Sequence, residues 1–373
     1  MNKNAPYLEV ESTKRLPQPV GGLVWHCAFQ YIDFNEVPDY AVANHFRDCM
    51  FLGCKIPKPM EKRIDSDCLV FPRMGMEYKA FTNVLYSGDT LYEDYDPENE
   101  QTFETCFDTT VYRNYINKGK KADCIRDTIS RAIHDHSISN AMDGLLDMYA
   151  ETDVCAIMGG HAMKRTDESY KKVVRISKAL TEAGKLMVSG GGPGAMEATH
   201  LGAWMAGRTE AELQDALDIV AAAPTFRDEG WLKSAFSVRS KYPQTTFHSL
   251  GVPTWFYGHE PATPFATDIA KYFDNSIRED GILTIAKGGI IYSPGAAGTM
   301  QEIFQDAAQN HYETYGYASP MVFLGVDFFT KEVPVYPFLC ELLENGKYKN
   351  LILSITDDCD EVVETLKNFK KPE

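Results

Sequence analysis

The stretch Lys185-Leu186-Met187-Val188-Ser189-Gly190-Gly191-Gly192-Pro193-Gly194-Ala195-Met196-Glu197-Ala198 decides how this chain is read. A short apolar run, Lys185 to Ser189, enters three consecutive glycines and a Pro-Gly pair, and a helical pattern over Ala195 to Ala206 follows at once. A strand that passes into a helix in this way is the building unit of a parallel sheet, since parallel neighbours need a crossover between them. The alternation continues on both sides. Val154 to Met158 reads as a strand and Asp167 to Ala183 as a helix. Thr254 to Tyr257, Gly289 to Ser293, Met321 to Leu324 and Leu351 to Ile355 read as further strands, with helices over Pro264 to Arg278, Thr299 to Glu313 and Asp360 to Phe369. The expected fold class is α/β, a doubly wound parallel sheet with right-handed crossovers.

The chain has 373 residues, which at roughly 150 residues per domain implies about two units. The boundary falls near residue 150. Residues 151–373 carry the alternating pattern, and residues 1–150 form an N-terminal α+β region whose role the sequence does not name. In that region Leu23 to Tyr31 and Cys68 to Phe71 have strand-like composition, and Cys124 to Tyr149 has helical apolar spacing. No internal repeat is legible. The segment Gly88 to Asp108 carries Asp89, Glu93, Asp94, Asp96, Glu98, Glu100, Glu104 and Asp108 with no basic residue, and reads as a solvated loop or a flap. Pro224 to Pro243 is longer than a usual crossover and reads as a lid.

Composition excludes several classes. With 44% hydrophobic and 24% charged residues the chain is globular, and its net charge of −16 disfavours a nucleic-acid binder. An acidic surface repels free phosphates, so an anionic ligand would have to be held by local donors. No run of 18 apolar residues and no leader-like N-terminus occurs, so no membrane association and a cytoplasmic location are expected. Nine cysteines stand singly without a C-x-x-C pair, which argues against a disulfide framework or a zinc site. His134-Asp135-His136 has no partner at helical spacing, so no metal is expected there.

Three strand ends are rich in glycine: Met158-Gly159-Gly160-His161, the quoted turn, and Ser293-Pro294-Gly295-Ala296-Ala297-Gly298-Thr299. Ligands of doubly wound sheets sit at the carboxyl ends of the strands, and a helix that starts in glycine presents backbone N–H groups to anions. The spacing is neither G-x-G-x-x-G nor a P-loop, because no Lys-Ser or Lys-Thr follows. A less common Rossmann-like phosphate or nucleotide site is left.

Gly190 to Met196, with Pro294-Gly295-Ala296-Ala297-Gly298-Thr299-Met300-Gln301-Glu302 about a hundred residues later, resembles the paired signature G-G-G-x-x-G-x-M and P-G-G-x-G-T-x-x-E of the LONELY GUY (LOG) family. Members of that family, once labelled lysine decarboxylases, are phosphoribohydrolases that cut nucleoside monophosphates into base and ribose 5-phosphate. Gly159-Gly160-His161 and Gly192 to Ala198 look more like the larger bacterial branch, the pyrimidine/purine nucleotide 5′-monophosphate nucleosidases. The likeness spans roughly Asp153 to Phe369. It implies a catalytic pair, Arg278 and Glu302, and a substrate site at Gly160, His161, Gly191, Gly192, Gly194, Met196, Gly295, Ala296, Ala297, Gly298 and Thr299. It also implies no cofactor and a homodimer or larger homo-oligomer. Ala296 stands where the family has glycine.

Each feature has a plain structural counterpart. Thr299-Met300-Gln301-Glu302 fits a capping box, and Met300, Ile303, Phe304, Ala307, Ala308 and His311 fit a core stripe. Arg278 could pair with Asp274 one turn away. His161 and Trp255 to His259 could contact a base, although aromatic residues in a strand are more often core. Cleaving an N-glycosidic bond builds positive charge on the ribose, which a carboxylate can stabilise while orienting water. Glu302 suits that role and Arg278 a clamp on substrate or leaving group. The alternative expectation is a non-catalytic nucleotide sensor of the same superfamily. A pyridoxal phosphate decarboxylase is disfavoured, because the turns offer no clear Schiff-base lysine.

Overall fold

The computed structural model describes residues 6–372. They divide into two compact units: one of residues 1–84 and 116–141, the other of residues 85–115 and 142–373. The chain therefore crosses between units more than once, whereas the sequence suggested one boundary at residue 150.

The second unit contains seven strands, β1 (Val154–Met158), β2 (Leu186–Ser189), β3 (Ser249–Gly251), β4 (Asp268–Ile269), β5 (Ile290–Tyr292), β6 (Pro320–Leu324) and β7 (Ile352–Thr356). Its helices are α1 (Glu168–Glu182), α2 (Ala195–Trp204), α3 (Glu210–Ala221), α4 (Trp231–Lys241), α5 (Asn275–Ile285), α6 (Ala297–Tyr312), α7 (Val335–Glu344) and α8 (Cys359–Asn368). All neighbours pair in parallel, in the order β4-β3-β2-β1-β5-β6-β7. Strand order thus runs outward one way from β1 to β4, then restarts at β5 on the other side of β1. Side chains alternate between two covered faces, as strand geometry requires. Cys155, Ile157, Met187, Ile291 and Val322 join Val173, Leu180, Leu201 and Leu366 in one core cluster. On the opposite face the Tyr292 hydroxyl donates to Asp306 of α6 (2.7 Å), and Phe323 meets Phe329 and Tyr336.

Two expected elements differ. Thr254 to Tyr257 is not a strand: Trp255–Tyr257 is a turn of 3-10 helix capped by the Thr254 hydroxyl, and the strand lies earlier, at Ser249–Gly251. Pro264 to Arg278 is not one helix either, because β4 interrupts it and α5 begins only at Asn275, where the Asp274 carboxylate accepts the Ser276 N–H (2.9 Å). Aromatic and small residues carried both misreadings. Helix periodicity across Pro264 to Arg278 came from residues that are buried for other reasons.

The acidic segment is not a solvated flap. Ser87 caps a short helix, Gly88–Leu91, and Leu91, Tyr92 and Cys106 are buried against Trp231, Leu232, Ala262 and Ile269. Its acids face out toward bases of α4, with Arg239–Asp89 at 2.8 Å and Lys233–Glu98 at 2.9 Å. Asp108 is the exception, buried and accepting from Lys271 Nζ and Trp255 Nε1, each at 2.8 Å.

The first unit carries the expected strands within Leu23 to Tyr31 and Cys68 to Phe71 and a helix at Ile125–Leu146. Its strands form a stack of short parallel ones: Leu8–Val10, Cys27–Gln30, Met50–Leu52 and Leu69–Phe71 form one sheet, and Leu23–Trp25 pairs with His45–Arg47 beside it. Successive rungs are offset by about twenty residues, the period of a stacked repeat. His26 and Asp48, at φ 58 and 49, make the same left-handed corner in consecutive rungs. Cys27, Cys49 and Cys68 then follow in register, and Phe29 stacks on Phe51 at 5.3 Å. The described cysteines are free thiols. No helix among the described residues is long and apolar enough to cross a membrane.

Candidate functional site

The reversal of strand order puts β1 and β5 side by side, so their carboxyl ends open a crevice at the point where such sheets bind ligands. The turn after β1 and the turn after β5 meet there. Gly160 N–H donates to Pro294 O (3.0 Å), and Ala195 N–H, opening α2, donates to Gly160 O (3.1 Å). The three glycine turns are thus bonded to one another. Gly194 shows why glycine is needed: at φ +72 a Cβ would run into Gly160 and lie 2.7 Å from His161 C.

This bonding corrects part of the expected cradle. The Gly160 N–H is spent on Pro294, and the Gly191 N–H is spent on Ser189 Oγ (3.1 Å), so neither is free to hold an oxyanion. Gly191 and Gly192 are buried, and Met196 supports them from inside, its Cε 2.8 Å from where a Gly192 Cβ would stand. The second turn is a packed scaffold. Beneath it, Ser189 Oγ, His200 and Ser249 form a buried chain with contacts of 2.8 and 3.0 Å, and burial pushes the His200 imidazole down to about 3, so it is neutral.

The third turn is different. Helix α6 starts at Ala297 with Ala296 as its N-cap, no side chain caps it, and Ala296, Ala297 and Gly298 are exposed. The N–H groups of Ala297, Gly298 and Thr299 precede the first intrahelical bond, which Met300 makes to Ala296 O (3.1 Å). Thr299 is therefore not an N-cap and the expected capping box does not form. Its side chain is buried against Gly295 instead. Glu302 consequently sits in the second turn of the helix, and the core stripe of α6 runs through Thr299, Ile303, Asp306, Ala307 and Asn310.

Arg278 lies at the start of α5 and reaches across the second turn. Its Nε donates to Val252 O (3.2 Å), and its guanidinium covers Gly190 so closely that any Cβ there would collide with it. It thus places a cation above the glycines, and Asp274 serves as helix cap. Burial pushes the Glu302 carboxyl up to about 7; the Arg278 charge pulls it down and the Glu279 charge adds to the rise. Four residues on, buried Asp306 is also pushed up to about 7 by burial, against the hydrogen bond it accepts from Tyr292.

Several residues of the site carried no signal of their own in the sequence. The Glu260 carboxylate lies 3.9 Å from the Cβ position of Gly192 and 3.8 Å from both His161 Nδ1 and His259 Nε2. Arg165, fully buried, grips Glu197 of the second turn through two bonds (2.9 and 2.5 Å) and also donates to Val220 O, Ala223 O, Trp231 O and Ser234 Oγ. It ties the turn to the segment that leads into α4. A buried arginine is rare enough to flag, but only its partners reveal the role. Trp255, one of the suggested base contacts, is core: it is fully buried and stacked on Phe273 at 4.5 Å.

Two cavities flank the turns, and a third adjoins one of them. One of about 220 Å³ is bordered by Gly160, His161, Met163, Gly295 and Ala296, and one of about 170 Å³ by His161, Met163, Pro193, Gly194 and Arg227. A third, of about 450 Å³, shares Phe226, Arg227 and Trp231 with the second. Arg278 and Glu302 line none of these three. Among the described residues no group of three or more His, Cys, Asp or Glu side chains could hold a metal ion. Compared with known proteins, the chain matches no family model, and a search of curated proteins finds no significant relative.

Proposed function

We propose that this chain is a Rossmann-like hydrolase that cleaves the N-glycosidic bond of nucleoside 5′-monophosphates, releasing free base and ribose 5-phosphate. The observation that carries the reading is a guanidinium lying over the second turn together with a half-buried acid, Glu302, whose carboxyl is raised to about 7 by burial against the pull of that same Arg278. The uncapped start of α6 offers three N–H groups and the positive end of a helix dipole to the phosphate. Topology adds support, since the crevice lies where strand order reverses.

In this reading water attacks C1′ of the ribose as the bond from C1′ to the base nitrogen breaks. Hydroxide ends on the sugar and a proton on the base. As its carboxylate, Glu302 stabilises the positive charge that builds on the ribose ring and orients the water. Arg278, held by Val252 O, offers its remaining N–H groups to the substrate or the departing base. The protein would work in the cytoplasm as a dimer or larger assembly, without nucleic acid or membrane. Incubation with a panel of nucleoside monophosphates, read by chromatography for free base, tests this. Release from at least one monophosphate and far less from the matching nucleoside is expected; binding without release would make the chain a sensor instead.

A further inference from the structure

The largest of the three cavities, about 450 Å³, lies outside everything the glycine turns explain. Its volume falls within the roughly 300–1,000 Å³ typical of small-molecule sites. Four aromatic rings wall it: Tyr95 and Phe103 from the acidic segment, Phe226 and Trp231 from the crossover that ends in α4. Glu100 and Asp228 add acceptors to its lining, and Arg227 and His259 add nitrogen groups that can donate. Such walls suit a flat ring with polar rims, because every base offers a π-face to stack and a mixed donor and acceptor edge to read.

The cavity is joined to the crevice in two ways. Phe226, Arg227 and Trp231 also line the smaller cavity that touches Pro193 and Gly194. The segment His259-Glu260-Pro261 spans the same gap, with Glu260 beside Gly192 and its two neighbours on the aromatic wall. Burial of the acidic segment, which brings Tyr95 and Phe103 to the cavity while most of its carboxylates face outward, acquires a purpose on this account.

We infer that this aromatic cavity receives the nucleobase of the substrate, and that Tyr95 and Phe103 of the acidic segment determine which bases are accepted. The inference rests on the nucleosidase reading but adds residues from outside the stretch whose sequence suggested it. The larger the ring system, the more of it the four side chains cover, so a purine gains more than a pyrimidine.

Isothermal titration calorimetry with adenosine 5′-monophosphate, uridine 5′-monophosphate and ribose 5-phosphate, on the full chain, separates the base from the phosphate. Phe103→Leu keeps an apolar filling but removes the ring. Its expected effect is a roughly tenfold loss of affinity for the adenine nucleotide, a smaller loss for the uridine nucleotide, and ribose 5-phosphate unchanged within about twofold. Arg227→Gln, at an exposed position, serves if Phe103→Leu lowers the melting temperature; it should weaken the nucleotides by about threefold and leave ribose 5-phosphate alone. Equal losses for all three ligands, no loss for either nucleotide, or no nucleotide binding at millimolar concentration overturns the inference. Base release with unchanged affinity in both variants sinks the cavity and keeps the nucleosidase; a selective affinity loss without any base release does the reverse.

Discussion

Helices α2 and α6 both begin at glycine-rich strand ends, yet the two turns are built for different ends. The turn at Gly190 to Met196 is buried, its Gly191 N–H is committed to Ser189, and Met196, Arg278 and the Arg165–Glu197 pair press on it from several sides. The turn at Ser293 to Thr299 is open where α6 begins, and a Cβ added at Gly298 would meet nothing within 4 Å. Glycine count therefore says little about ligand binding. What distinguishes the turns is whether backbone donors are already used, by a neighbour such as Ser189 for Gly191 or by a residue far away in the chain such as Gly160 for Ala195.

The largest expected effect tests the chemistry beside the open turn. Glu302→Gln should lower turnover by roughly a hundredfold or more with melting preserved, since the side chain takes no part in a cap. Two pH signatures accompany it. In the natural protein, turnover should rise as pH climbs through about 7, where Glu302 becomes a carboxylate. Stability should move oppositely: an acid raised from 4.5 to about 7 on folding favours the native state most below 4.5, and that advantage is lost as pH rises toward 7. Glu302→Gln should flatten the activity slope and reduce the stability slope without abolishing it, because Asp306 is raised to about 7 as well; an unaltered activity profile would return Glu302 to a structural role.

Next comes the packed turn. Gly190→Ala forces the Arg278 guanidinium and the Met196 thioether to move, and because both are ends of flexible side chains the cost should stay near the low end of overpacking, about 1 kcal/mol. Chemical denaturation should register that loss, and activity should fall by at least tenfold; a variant as stable and active as the parent would show the second turn to be loose. Gly298→Ala is the mirror experiment. Stability should hold or rise by about 0.4–1 kcal/mol, because the position lies inside a helix and has room. The Michaelis constant for a nucleoside monophosphate should rise several-fold if phosphate approaches that N–H group, and an unchanged constant would move the phosphate elsewhere. The smallest effect belongs to Ala296→Gly. Ala296 already has φ −110, so glycine relieves nothing and should change the Michaelis constant by no more than about threefold, at a cost of up to about 1 kcal/mol. A large gain in activity would mark the natural chain as a weakened hydrolase.

Legibility in the sequence followed locality. Buried parallel strands such as Val154–Met158 and Pro320–Leu324 were readable because they are continuous apolar runs. The three turns were readable as glycine-rich strand ends, whereas Arg278 and Glu302 were singled out only by the resemblance to a known family. Edge strand β4, only two residues long, left no pattern to read. Nor did the rung repeat: Cys27-Ala28-Phe29, Cys49-Met50-Phe51 and Cys68-Leu69-Val70 are the signal in hindsight, too short and too unevenly spaced to stand out. The capping box misled because Thr299 and Glu302 satisfy its spacing while the helix starts two residues earlier. Packing of the acidic segment was invisible for another reason, since its buried residues are few and its charges dominate the composition.

The hydrogen bond from Gly160 to Pro294 closes a loop of more than a hundred residues. Such a contact forms late, because chain entropy must be overcome before it gives anything back. During synthesis the first unit has all its residues once the chain passes residue 141. Residues 85–115, by contrast, emerge early and must wait for partners as distant as Trp231 and Ile269. In that interval Leu91, Tyr92 and Cys106 lack the surface that will cover them, and the stretch between them is dominated by acids. The charge that made the segment look like a surface loop thus keeps that stretch of unfolded chain strongly polar until the sheet is complete.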